Sequence, residues 1–493
     1  MALMSISRMI SQLADRDPDR PAITHEGCSI TRKQLDLRTN RLARAYENFG
    51  VKPNDLVTIA LPNSIEFYEA AVAVWKLGAT PQPISYRLPQ IEREAIIELA
   101  DPSLVVGGEP GSLGDRRVLP AGFEPDPDLS DSELPDRTAK YFGAMTSGGS
   151  TGRPKLIIQK DPGELDPDDE AFTTLWHIMP DGAQLVPGPL YHTGPFGYST
   201  LGLFFGSHIV VMTRFDAEEA LRLMEKYQID YVVMVPTMMH RIWRLGEKKR
   251  NQYDLSSLRT VQHFGSSCPP WLKEAWINWL GPERIYEFYG ATEGIGMTAI
   301  TGGEWLSHKG SVGKPTGGTR LKIVDENGNT LGPGKIGNIY LLPARGRQST
   351  YHYVGAVSDA IENGWESLGD MGRLDEDGYL YLTDRKMDMI LRGGANIYPA
   401  EVEAAIDSHP AVRSSAVIGL PDDDLGQVVH GIVDAPGGVT EEALFAHLSE
   451  RLARYKIPSS FEFVTEPLRD EAGKTRRYAL VKKKISVPQK KID

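Results

Sequence analysis

Apolar positions along this chain switch repeatedly between two periods. Asp216 and Glu219 are spaced as a capping box ahead of Ala220, Leu221, Leu223 and Met224, the pattern of an amphipathic helix. A β-branched run from Tyr231 to Val235 follows and stops at Pro236, which predicts a strand. The rhythm returns near the C-terminus. Pro399 opens a predicted helix through Ile406, Val412 to Ile418 reads as a strand, and Thr440 caps a helix that ends before Pro458. Alternating helix and strand patterns predict an α/β fold.

Turn chemistry divides the chain. Gly and Asp cluster between Gly364 and Gly378, a charged stretch runs from Thr383 to Asp388, and the apolar triplet Met389-Ile390-Leu391 comes next. The predicted boundary lies there, giving a large domain over 1–384 and a small α+β domain over 385–493. With 493 residues the chain exceeds what one compact core holds, which agrees with two domains. Residues 108 to 138 are rich in Gly, Pro and Asp and predict a surface excursion. No internal repeat is visible.

Composition narrows the function. A net charge of −12 argues against nucleic acid as the main partner. No run approaches the roughly 18 apolar residues of a spanning helix, so no integral membrane association is expected. Met1 to Arg20 carries Asp15, Asp17 and Asp19 in an amphipathic pattern, unlike a secretory signal with its basic start and apolar run. The two cysteines, Cys28 and Cys268, lie far apart and form no metal-ligand spacing. A cytoplasmic protein in a reducing compartment is the expectation.

The strongest local signal is Met145-Thr-Ser-Gly-Gly-Ser-Thr-Gly-Arg-Pro-Lys155. Its glycines let backbone approach a ligand closely, and its hydroxyls and amides can donate to phosphate oxygens. Lys155 adds a positive charge. Pro154 before that lysine excludes a Walker A loop, and Gly473-Lys474-Thr475 fails the same test because Leu468 stands where the first glycine belongs. Read alone, such a loop is as often a plain surface loop as a phosphate site.

The segment from Thr146 to Lys155 resembles the signature loop of the adenylate-forming (AMP-binding) superfamily, in its acyl- and aryl-CoA ligase branch. Further motifs of that family appear in order along nearly the whole chain. They are Pro189-Leu-Tyr-His-Thr-Gly194, Gly265-Ser-Ser-Cys-Pro269, Tyr289-Gly-Ala-Thr-Glu293, Gly310-Ser-Val-Gly313, Trp365 to Asp370, Asp384-Arg385, Gly393 to Glu403 and Pro467 to Lys474. The resemblance implies a large domain of mixed sheets flanked by helices, with a small mobile α+β C-terminal domain that turns between two half-reactions. It implies ATP, Mg²⁺ and coenzyme A as reaction partners, and a small carboxylic acid as substrate.

The chemistry explains the residue types. A carboxylate, with a pKa of about 4, is an anion at neutral pH and must approach an anionic phosphate. Like charges a few ångströms apart in a dry site repel strongly, so cations and aligned donors are required. By resemblance, Lys474 supplies the closing cation over the carboxylate and α-phosphate. Glu293 holds Mg²⁺, and Thr292 contacts the α-phosphate. Thr146, Ser147, Gly148, Gly149, Ser150, Thr151, Gly152 and Lys155 cradle the phosphates. Tyr289 with Gly290 on one side and Gly265, Ser266 and Ser267 on the other enclose adenine. Asp370 and Arg385 hold the ribose hydroxyls, a diol that suits a carboxylate acceptor. His192 lies beside the acid and positions it. Gly394 lets the thiol arm of coenzyme A pass.

Two departures stand out. Leu368 replaces the family's usual Thr or Ser before Gly369, and Met387 occupies the pivot where Asp or Lys is usual. The region after the aromatic motif, Gly194 to Tyr198, has no acid to hold an ammonium, which disfavours an α-amino acid. Phe196, Tyr198, Leu203, Phe204 and Met238 are candidates for an apolar pocket or for plain core. An apolar or aromatic acid is expected. Other acceptors (a carrier protein, an amine) and another oxyanion, such as nitrite for aryl-amine diazotisation, stay open. So do a luciferase-like oxygenase, a regulatory protein with a dead site, and a homodimer.

Overall fold

The computed structural model describes residues 3–148, 154–344, 346, 349–356, 362–385, 388–392, 395–422, 425–469, 475 and 477–485. Its largest sheet has nine strands. In spatial order they are Lys314–Thr316, Met297–Thr301, Ile285–Gly290, Thr260–His263, Tyr231–Met234, Ala183–Val186, His208–Val211, Pro21–His25 and Cys28–Thr31. The central strands run parallel, and antiparallel pairs close both edges. All four residues of Tyr231–Met234 are buried, as a β-rich run covered on both faces should be. Pro236, which stops that strand, also opens the helix Pro236–Trp243, where its missing N–H costs nothing.

Four further sheets among the described residues complete the large domain, the smallest being the antiparallel pair Met4–Ser5 and Glu164–Leu165. Thr80–Pro83, Leu56–Ile59, Leu104–Val106 and Val118–Leu119 run parallel. Tyr351–Val354, Pro154–Gln159 and Ala144–Gly148 form an antiparallel triplet. Arg320–Val324, Gly337–Leu342, Asp370–Leu374 and Leu380–Arg385 form an antiparallel sheet. A smaller unit follows, in which Ser414–Asp422 and Gly426–Asp434 make a long antiparallel pair and Ser460–Val464 adds in parallel. Its apolar cluster, from Ile390 to Phe461, draws on this unit alone. Arg244 of the large domain donates to Pro410 O at 3.0 Å and Val412 O at 3.3 Å of the small one. No helix among the described residues is long and apolar enough to cross a membrane.

Several expectations hold, with shifts. The helix predicted from Asp216 is Ala217–Lys226, and the Asp216 carboxylate accepts from the Glu218 and Glu219 amides. The capping box is not completed, because Glu219 instead accepts from Arg222 at 2.5 and 2.6 Å. The predicted helix at Pro399 is Pro399–Asp407, and Thr440 caps Glu441–Ser449. The strand predicted over 412–418 starts at Ser414 and continues to Asp422, since its nine-residue partner carries it on. Residues 108–138 are not wholly an excursion. Val118–Leu119 extends a parallel sheet, and Leu119 and Leu134 are buried.

Candidate active site

Two neighbouring parallel strands carry the nucleotide motifs at their C-terminal ends, the usual place for ligands in open α/β sheets. Thr260–His263 leads into Gly265, Ser266 and Ser267. Ile285–Gly290 carries Tyr289 and Gly290 and leads into Thr292 and Glu293. Gly265 has φ +87°, and a Cβ there would meet nothing nearer than Val235 Cγ1 at 3.6 Å. Backbone conformation, not crowding, therefore requires glycine at this turn. Gly265 and Ser267 are exposed and Ser266 is half-buried, so this loop offers its surface outward.

Glu293 is nearly buried, and its Oε1 has two partners. Tyr353 Oη donates to it at 2.7 Å, and Lys155 Nζ lies 3.5 Å away. Lys155 also sits 3.9 Å from the centre of the Tyr353 ring, a cation–π distance. Burial and the Glu293 carboxylate push the Tyr353 phenol above its ordinary range, so it stays a donor. Thr292 Oγ1 is 2.7 Å from Thr193 Oγ1, and the Thr292 carbonyl accepts from Gln159 at 3.3 Å. Thr350 donates to the Glu293 carbonyl at 2.7 Å. Thr146 accepts from Gln82 at 3.0 Å, and Gln82 accepts from Thr58 at 2.5 Å. The cradle strands, the carboxylate strand and the helix Thr193–Phe204 thus meet at one point.

The residues expected to hold ribose and base also meet. Tyr289 Oη donates to Asp370 Oδ2 at 2.8 Å. Asp370 and Arg385 are register partners across the antiparallel pair. The side chains of Arg385 and Ser147 lie outside the described residues. So do Gly149, Ser150, Thr151, Gly152, Met387, Gly394 and Lys474 entirely; Gly148 ends a described strand.

His192 stands at the N-cap of Thr193–Phe204, with its ring 4.6 Å from that of Tyr191. Asn63 holds this turn from behind. Its amide donates to Gly188 O at 2.8 Å and Met212 O at 3.0 Å, and it accepts from Leu190 N at 2.8 Å. Of the pocket candidates, Phe196, Leu203 and Phe204 are core. Phe196 stacks on Trp75 at 5.6 Å, and Phe204 meets it edge-on. Met238 belongs to a second core cluster. Tyr198 differs: it is half-buried and stacks on Phe264 at 5.4 Å, next to Gly265.

The sequence reading missed Tyr353, Thr350, Gln159, Thr193, Gln82 and Asn63. Thr193 lies inside the quoted aromatic motif and could have been singled out there. The others reach the site by pairing across the chain.

The donor set suits a hard divalent cation carried with phosphates. No group of three or more His, Cys, Asp or Glu able to hold a metal occurs among the described residues. Mg²⁺ is commonly bound by one or two carboxylates plus phosphate oxygens and water. Both side-chain contacts to Glu293 fall on Oε1, and no hydrogen bond to Oε2 occurs among the described residues.

The AMP-binding enzyme family matches residues 10–353, and its C-terminal domain matches residues 401–474. A 2-succinylbenzoate–CoA ligase of Bacillus licheniformis is 31% identical over 495 residues, covering 97% of this chain and 100% of that protein. A feruloyl-CoA synthase of an Amycolatopsis species is 30% identical over 464 residues, covering 91% and 93%. The structure of an O-succinylbenzoate coenzyme A synthetase from Bacillus subtilis with ATP and a magnesium ion superposes with TM-score 0.82 at 25% identity, covering 97% and 100%. Matched over most of its length in both domains, the chain belongs to the AMP-binding enzyme family.

Proposed function

We infer that this chain joins a carboxylic acid to AMP from ATP, releases pyrophosphate, and passes the acyl group to coenzyme A. The observation that carries this reading is the meeting of Lys155, Glu293 and Tyr353 beside Thr292, at the end of the strand that carries Tyr289. Lys155 and the hydroxyl of Thr292 face the phosphates. Glu293 holds Mg²⁺, which when bound neutralises phosphate charge. Asp370, steadied by Tyr289, receives the ribose hydroxyls. Gly265, Ser266 and Ser267 line the adenine, and His192 orients the acid.

Lys474 closes over the reacting pair, and Gly394 lies on the path of the thiol. Their small domain follows the strand Leu380–Arg385 and turns between the two half-reactions, with Met387 at the pivot. The acid is aromatic or apolar. Tyr198 and Phe264 offer a stacked aromatic wall beside the His192 turn, and the segment from Gly194 to Tyr198 has no anion to hold an amino group. The named substrates of the two relatives, a benzoate and a feruloyl group, support the same class.

Pyrophosphate release with ATP, Mg²⁺ and a panel of aryl and alkyl acids tests the first half-reaction, and acyl-CoA formation tests the second. Turnover with at least one acid is expected, with Lys474→Ala lowering the adenylation rate on the order of 10²–10³-fold. No pyrophosphate with any acid, or release only with nitrite and an aryl amine, would overturn the reading.

A further inference from the structure

Beneath the two nucleotide loops lies a buried charged cluster that none of the steps above uses. Lys273, on the helix Pro270–Leu280, is 1% exposed and puts Nζ 2.6 Å from Glu287 Oε2. Its ammonium also lies 5.2 Å from the ring centre of buried Trp305. Glu287 is 6% exposed and sits two residues ahead of Tyr289. His263 is fully buried, sits two residues ahead of Gly265, and is the register partner of Glu287 on the adjacent strand. Its Nδ1 is 4.0 Å from Glu287 Oε1, and neither ring nitrogen has a hydrogen-bond partner among the described residues. Burial drives the imidazole pKa down to about 4, so the ring is neutral and Lys273 is the cation that answers Glu287.

Burying such a pair is no route to stability, since well-packed apolar residues often do as well or better. What the pair does well is fix distances, because an unpaired charge here is so costly. Its position determines what is fixed. The loop 264–269 is held at its start by the strand Thr260–His263. At its far end it runs into the helix that carries Lys273. Glu287 is on the strand that presents Tyr289, so the ion pair ties the exit of one nucleotide loop to the root of the other.

We propose that Lys273 and Glu287, with His263 beside them, are positioning residues that set the gap between the Gly265–Ser267 loop and Tyr289, and hence the fit of adenine. This rests on reading that gap as the adenine site. AMP binding by titration calorimetry tests it, with the KM for an acid that supports pyrophosphate release as the control. The double variant Lys273→Met, Glu287→Leu replaces the pair by apolar groups of similar size. It is expected to melt close to wild type, bind AMP about tenfold more weakly, and keep its KM for the acid within twofold. Glu287→Asp keeps the charge and shortens its reach; a several-fold loss of AMP affinity at near wild-type melting temperature is expected, and this variant decides if the double variant does not fold. Unchanged AMP affinity in a folded variant overturns the proposal. So does a loss of AMP affinity matched by an equal rise in the acid KM. Wild-type protein that binds no AMP defeats the adenine reading itself, and this inference with it.

Discussion

Glu287 in the large domain and Glu403 in the small one are both buried carboxylates, yet they are answered differently. Glu287 meets one ammonium, with a neutral imidazole alongside. Glu403 meets two guanidiniums and an amide. Arg477 reaches its Oε1 at 2.9 and 3.2 Å and its Oε2 at 2.9 Å, Arg469 reaches Oε2 at 3.3 Å, and Val417 N donates to Oε1 at 2.8 Å. Arg477 also holds Asp388 at 2.8 Å, and Arg469 lies 3.6 Å from Asp407. A lysine is a point charge on a flexible stem, whereas the planar fork of an arginine bridges several acceptors at fixed angles. One cation suffices in the large domain, where Glu287 is on a strand of the nine-stranded sheet and Lys273 is on the helix that links that strand to its neighbour. Forks are used in the small domain, where the parts joined are Asp388, the helix Pro399–Asp407, Arg469 and the helix Arg477–Ile485, which share no strand pairing among the described residues.

That contrast can be broken experimentally. The largest effect is expected from Glu403→Ala, which takes the shared acceptor from two half-buried guanidiniums and the Val417 amide. Denaturant unfolding should show the small-domain transition weakened by about 3–5 kcal/mol. If the fork geometry is the essential difference, Arg477→Lys should cost about 2–3 kcal/mol although the charge is kept. A cost near zero would make Glu403 equivalent to Glu287 and remove the distinction.

Asp407 sharpens the comparison through pH. Burial pushes its carboxyl pKa up to about 6, with the pull of Arg469 acting against that rise. The folded chain therefore keeps a proton that the unfolded chain releases above about pH 4. Stability contributed by this group falls as pH rises from about 4 to about 6, and is level above that. The fall should be on the order of 3 kcal/mol, visible as a slope in wild type that Asp407→Asn lacks. An identical slope in both proteins would place the titration elsewhere.

Much of the site was legible because its motifs are local. Tyr289, Thr292 and Glu293 fall at the end of one strand, and Asp370 and Arg385 flank one hairpin, so their order along the chain keeps them together. Tyr353 was not legible. It reaches Glu293 only because Tyr351–Val354 pairs with Pro154–Gln159, a contact set by register across nearly two hundred residues. Phe196, Leu203 and Phe204 show the opposite failure. An apolar helical face reads the same whether it meets a ligand or Trp75, and here it meets Trp75. Lys273 looked like any helical lysine, because burial of a charge leaves no mark in the local pattern.

The pairing of Lys155 with Glu293 has a consequence for the resting protein. Each satisfies the other before any nucleotide arrives, so a stray phosphate or sulfate meets a cation already engaged and gains little by intruding. A polyphosphate travelling with its divalent ion brings a replacement for both at once, a cation for the carboxylate and an anion for the ammonium. On the function proposed above, the pair is a latch that a matched exchange of partners would open, which would favour complexed nucleotide over bare anions well before any bond is made.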